Sequence, residues 1–254
     1  VTSPIAVAAC AVAGVPVGAF LNVVIERAPA KAPLRGSIEG EADPPRAWLG
    51  VPVRPWLLRR PSDPSRRRAR WLAVELVTAA AFGVLAARFD SLEVALPLLV
   101  VVAGLVAVSF VDLEHLRIPD RITFPTLGLA VAAMAVVSFE RDVPEALWGA
   151  LAGGVAYFVL LLLPHLVYPR GMGFGDVKLA LVMGAALGWL GSRSPDTAPL
   201  ALVLQAMIVG CLLGVVFGIG HQVATRRRGE FPFGPALALG CYLILLSVPQ
   251  PPGV

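Results

Sequence analysis

Cysteine is scarce in this chain: there are three in 254 residues, Cys10, Cys211 and Cys241, each inside an apolar run and none in a CxxC pair. That excludes a disulfide framework and a thiolate metal site, and leaves the three as small buried hydrophobes. Charge is scarce as well. Asp, Glu, Lys and Arg make up 15% of the residues, against about 25% in soluble domains. Lysine is nearly missing, since 19 of the 21 basic residues are Arg. The three histidines, His115, His165 and His221, stand alone near the ends of apolar runs and read as interface residues. No basic segment precedes the first apolar stretch, so it reads as a retained helix and not as a removed signal. No internal repeat is visible, which counts against a transporter built from inverted halves.

What the chain has instead is hydrocarbon. It is 57% hydrophobic with a mean hydropathy of +0.78, and a membrane-crossing helix needs roughly 20 mostly apolar residues. The expected fold is all-α, a polytopic membrane bundle of about eight transmembrane helices. The candidate spans are 4–25, 71–89, 92–111, 122–138, 145–168, 177–192, 198–221 and 233–248. The stretch near 177 is short and interrupted by glycine.

Basic residues in short loops stay on the cytoplasmic side. With the N-terminus outside, 18 of the 21 fall inside. They lie between Arg27 and Arg70, around Arg117, Arg121, Arg170 and Lys178, and at Arg226, Arg227 and Arg228. Only Arg88, Arg141 and Arg193 lie outside, among Asp90, Glu93, Glu140, Asp142, Glu145 and Asp196. The cluster at Arg66, Arg67, Arg68 and Arg70 is therefore read as a topology signal that can also attract anionic lipid headgroups, and no nucleic-acid partner is expected. The 27–70 loop is the one sizeable soluble segment. It is rich in Pro and Arg, lacks periodicity, and is expected to lie on the cytoplasmic surface with Trp48 and Trp56 as anchors.

Two aspartates occupy places where a carboxylate is costly. Asp112 ends the apolar run from Leu96, and Asp176 closes the glycine-rich turn GMGFGD at 171–176. An apolar hairpin lies between them, so both reach the cytoplasmic face and can form an acid/base pair. Peptide hydrolysis by two carboxylates needs one ionised member to activate water and one protonated member to polarise the carbonyl, and close like charges divide those states. Such a pair titrates as a unit, so neither role is assigned. The turn glycines, Gly173 and Gly175 among them, allow dihedrals and a close backbone approach that other residues resist. On the glycines alone, Asp176 is equally well read as a cap accepting amide hydrogen bonds at a helix start. Asp112 is open to a plainer reading too, a solvated helix-end acid. Asp120, after Pro119, reads as an N-cap, and Glu114 as a solvated neighbour. Glu75 lies inside a span, where an acid is either functional or bonded to a neighbouring helix. Lys178 could bind lipid phosphate or bias the pair's ionisation without being catalytic.

The chain resembles the type IV prepilin peptidases, bacterial membrane aspartyl proteases of the GxGD group. The resemblance rests on five segments in order: GAFLNVVI at 18–25 with Arg27 and Pro29, WLAVELVT at 71–78, Asp112 through Ile118, Pro119 and Asp120, GFGD at 173–176, and PFGPALALG at 232–240. It implies that Asp112 and Asp176 are the catalytic pair, with Gly173, Gly175 and Pro119 at the approach of the substrate. It also implies a bacterial inner-membrane enzyme cutting short basic leaders from prepilins or pseudopilins at the cytoplasmic face, with a membrane N-terminal part at 1–89 and a peptidase core at 90–254. Proteolysis needs no cofactor. Many family members also methylate the new N-terminus with S-adenosylmethionine, and Asn22, Arg27 and Glu75 match positions of that methyltransferase-like region. The loop cysteines that resemble a zinc site in other members are missing here, so zinc is not expected. The competing classes are a proton- or cation-coupled transporter, which predicts acids near the membrane midplane, and a non-catalytic secretion-assembly protein, which predicts that both aspartates can be replaced.

Overall fold

The computed structural model describes residues 3–29, 64–169, 172–194, 197–225 and 231–249. The expectations for the bulk of the 27–70 loop, with Trp48 and Trp56, and for Arg170, Gly171, Asp196, Arg226, Arg227 and Arg228 lie outside these residues. So do those for the side chains of Arg66, Arg67, Arg68 and His221. The described residues form eight helices and no strand: α1 (Pro4–Arg27), α2 (Pro64–Arg88), α3 (Leu92–His115), α4 (Asp120–Glu140), α5 (Ala146–Val167), α6 (Phe174–Gly191), α7 (Pro199–Thr225) and α8 (Gly234–Ser247). The first seven are long and apolar enough to cross a membrane.

α3 and α6 form the centre. In their most apolar windows 72% and 78% of residues are buried, against at most 39% in the other five. A helix apolar on all sides has no face to give to water, so it is surrounded by other helices. The short, glycine-interrupted stretch near 177 is thus the most enclosed span of all. Its glycines explain this, because Gly184 and Gly188 meet Gly149 and Gly153 of α5 with no room for a β-carbon between the backbones. In lipid, where apolar faces gain little from leaving the solvent, such close approach is what holds helices together.

The last expected span differs from a full crossing. α8 has 14 residues, about 21 Å of helix, short of the roughly 30 Å hydrocarbon core. Free backbone ends in hydrocarbon are expensive, and both ends of α8 find partners inside the protein. At its C-terminal end the Arg88 guanidinium, from α2, donates to the carbonyls of Leu246 and Val248. At its first residue, the Gly234 amide donates to a side chain of α3 described below.

Three helices are tied at one end by a single side chain. Arg70 of α2 donates to Glu26 of α1 at 2.5 Å and to Glu114 of α3 at 2.9 Å, and Trp71 Nε1 also donates to Glu26. Glu114, an exposed residue as expected, is therefore also half of an inter-helix ion pair. Replacing Arg70 by Gln leaves two carboxylates facing each other and is expected to cost about 1–2 kcal/mol, read as a lower thermal midpoint in detergent. Arg70→Lys should recover only part of it, because an ammonium lacks the planar fork that serves two partners. A wild-type midpoint for Arg70→Gln would contradict this account.

Candidate active site

α3 carries Asp112 one turn before its own end, not at its last residue, and stops at Leu116. That residue takes the left-handed conformation (φ 52°) and donates its amide to the Asp112 carbonyl. The connection of Arg117, Ile118 and Pro119 then leads into α4. Pro119 is the extended N-cap residue of α4, and its carbonyl accepts the Ile122 and Thr123 amides. Asp120 is consequently the first helical residue and not the N-cap. Its carboxylate pairs with Lys178 of α6 at 2.6 Å, and the Lys178 ammonium also lies over the Phe174 ring.

α6 begins at Phe174 with Gly173 as its N-cap residue, so Asp176 lies within the first helical turn and not at the close of the preceding loop. Gly173 has φ −66° and ψ 142°, ordinary values for any residue. Dihedral freedom therefore does not explain Gly173, and space explains Gly175. A β-carbon on Gly175 would stand 2.7 Å from the Ile118 Cβ, so α6 meets the α3–α4 connection backbone to side chain. The capping alternative for Asp176 is half realised. Its Oδ2 lies beside Gly173, 3.4 Å from where a β-carbon on that residue would stand, the place an acid in the first turn of a helix can take. Its Oδ1, however, is buried with no hydrogen-bond partner. Buried polar atoms are nearly always satisfied, and an exception calls for a reason such as a catalytic role.

Asp112 and Asp176 are both buried, each 6% exposed. Both line a cleft of about 1390 Å³ that Gly173, Gly175, Pro119 and Lys178 also line. The cleft lies at one end of the bundle, where α3 finishes and α4 and α6 start, and not at mid-length. Phe231 and Phe233, ahead of α8, also line it. Asp112 Oδ2 accepts the Gly234 amide at 2.9 Å, and this first amide of α8 is the helix-end donor with which an anion pairs well.

Two residues here escaped the sequence reading as members of the site. Ile118 fits between Gly175 and Gly234, and Gly234 holds Asp112. The signal for both was their place in the Asp112–Asp120 and PFGPALALG segments, but nothing in one dimension says that these segments touch. His165 was read as an interface residue. The structure gives it a task, since its Nδ1 pairs with the Met172 carbonyl at 2.9 Å and its ring packs on Phe174, bracing the turn before α6. His115 does face the cleft mouth.

Asn22, Arg27 and Glu75 are buried in the α1–α2 hairpin, apart from the cleft lining. The Asn22 amide nitrogen donates to the Trp71 carbonyl, while its Oδ1 is buried without a donor. Glu75 packs directly on Gly18, where a β-carbon would come within 2.6 Å of the Glu75 Cα.

Residues 99–219, which carry both aspartates, match the model of the type IV leader peptidase family. The chain is 32% identical to the prepilin leader peptidase/N-methyltransferase of Stutzerimonas stutzeri over 96% of its length and 92% of that protein. It is 30% identical to the proteins of the same description from Pseudomonas aeruginosa and Neisseria gonorrhoeae, covering 96% and 97% of this chain and 91% and 92% of theirs. No solved structure matches significantly. With this family match and identities of 30% or more across nearly the whole of both chains, this chain belongs to the type IV leader peptidase family.

Proposed function

We propose that the protein is a bacterial inner-membrane endopeptidase that removes the short basic leader from prepilins or pseudopilins, with Asp112 and Asp176 as its catalytic pair facing the cytoplasm. The single observation that carries the reading is the meeting of two buried carboxylates from different helices in one cleft at a bundle end. A transporter would need its acids near mid-length, along a path through the bundle.

One carboxylate takes a proton from a water molecule, whose oxygen attacks the scissile carbonyl. The other, protonated, donates to the carbonyl oxygen. Collapse of the tetrahedral intermediate breaks the C–N bond as a carboxyl proton passes to the leaving nitrogen. The pair is treated as a unit. Gly173 and Pro119 line the cleft beside the pair, on the path of a peptide backbone that reaches it.

In this reading residues 90–254 are the peptidase core, and 1–89 the methyltransferase-like part. The buried, donor-free Asn22 Oδ1 and the buried Glu75 carboxylate offer acceptors that suit the positively charged S-adenosylmethionine. When bound, that group would supply the methyl for the new N-terminus. Asn22 and Glu75 would hold it, with Arg27 alongside on α1. Zinc has no part in the proposal.

The test is incubation of the purified protein in lipid nanodiscs with several full-length prepilins, with and without S-adenosylmethionine, reading product N-termini by mass spectrometry. The expected product begins at the apolar segment behind the basic leader. A species one methyl group heavier, seen only with the cofactor and lost in Glu75→Gln, is expected if methylation is retained. Uncut prepilins throughout would overturn the peptidase reading.

A further inference from the structure

The Asp112 carboxylate is held by an amide that is itself held from a third helix. Gly234 N donates to Asp112 Oδ2 in a buried hydrogen bond. The preceding residue, Phe233, is the N-cap residue of α8, and its carbonyl accepts the Ala236 and Leu237 amides, so its backbone moves with α8. Its ring lies against Gly214 of α7. A β-carbon on Gly214 would overlap the ring at Cε2 and Cδ2, and Phe231 covers Gly218 one turn further along in looser contact. Pro232 between the two aromatics fixes its own φ and stiffens the segment. Gly234 in turn admits no β-carbon, which would stand 2.9 Å from Asp112 Oδ2. A continuous contact thus runs from the α7 backbone through the Phe233 ring and the Gly234 amide to Asp112.

We propose that Phe233 is a positioning residue for the carboxylate pair: seated on Gly214, it sets where the Gly234 amide stands and so aims the Asp112 carboxylate. This rests on the reading of Asp112 and Asp176 as the catalytic pair. Among the described residues α7 contributes nothing to the cleft lining, and the nearest neighbour of Gly214 is the ring that covers it, so Gly214 acts on the reaction through that ring. That separates positioning from substrate contact. A Phe233 that merely touched substrate would act on KM, and Gly214 would be silent.

The experiment compares steady-state cleavage of one prepilin by wild type, Gly214→Ala, Phe233→Leu and the double variant. Gly214→Ala pushes the ring and is expected to lower kcat about 10- to 100-fold, the scale of a misplacement near 1 Å, with KM little changed. Phe233→Leu, which leaves a gap over Gly214, should lose several-fold. In the double variant the added methyl occupies that gap, and kcat should exceed both singles, the coupling expected of residues in direct contact. Gly220→Ala, where a β-carbon meets nothing within 4 Å, should match wild type. A wild-type kcat in Gly214→Ala, an effect confined to KM, or a double variant no better than Gly214→Ala would overturn the proposal. If Gly214→Ala is not recovered folded, the comparison is of the double variant with Phe233→Leu, and a double variant that is equal or worse overturns it. Asp112→Asn and Asp176→Asn run alongside. Their continued activity would sink the catalytic-pair reading itself, whereas dead Asn variants beside a fully active Gly214→Ala would sink only the positioning role.

Discussion

Asp112→Asn and Asp176→Asn should each reduce prepilin cleavage by about four orders of magnitude or to below detection, and the double substitution should be no worse than either single one. An amide can neither take the proton from water nor deliver one to the leaving nitrogen, so either change removes the whole cycle. Groups acting as a unit lose their effects together and not additively. The fold should survive. Asn at 112 keeps an oxygen acceptor for the Gly234 amide, and Asn at 176 replaces a carboxylate whose Oδ1 is buried without a partner. The thermal midpoint of Asp176→Asn is accordingly expected to equal or exceed that of wild type, the pattern of a site where stability is given up for activity. The check is single-turnover cleavage by mass spectrometry together with detergent thermal unfolding of the same samples. Cleavage within tenfold of wild type by either variant would refute the mechanism.

Gly175→Ala should lower kcat/KM about 100-fold or more, while Gly173→Ala should lose less than about tenfold. The contrast follows from space. On Gly175 a methyl meets the Ile118 Cβ at 2.7 Å and its backbone nitrogen at 3.4 Å, whereas on Gly173 its nearest neighbour is Asp176 Oδ2 at 3.4 Å, an ordinary contact. The α3–α4 connection and the first turn of α6 must then part, and each carries or adjoins one of the two carboxylates. Overpacking of this kind also costs about 1–3 kcal/mol of stability. Ile118→Ala should give no rescue, because the colliding atom is the β-carbon itself and alanine retains it. Kinetics of the three variants with a common prepilin test this. A Gly175→Ala enzyme as active as Gly173→Ala would show that the approach of α6 to Ile118 does not matter.

How far the site could be read in advance depended on whether its logic was local. The pairings of Glu114 and Asp120 were not legible because their partners, Arg70 and Lys178, come from 44 and 58 positions away. The bracing contact of His165 was hidden for the related reason that a lone histidine says nothing of a carbonyl across a turn. The motif glycines were seen, but for a mixed reason. Conformational freedom and close approach leave the same letter in a sequence, and only the neighbour at Ile118 decides between them.

The amino-acid sequence by itself determined that this is a helical membrane protein, roughly where its helices run, and that two aspartates reach the same end of it. Hydrocarbon imposes those features through composition, length and charge asymmetry, all of which accumulate along the chain. The tertiary structure alone decided that α6 is the enclosed core helix, that α8 can be short because Arg88 and Asp112 satisfy its ends, and that Ile118, Phe233 and Gly234 surround the carboxylates. Those are contacts between segments far apart in the chain. Their strength depends on distances of a few tenths of an ångström between backbones, which no periodicity or motif encodes.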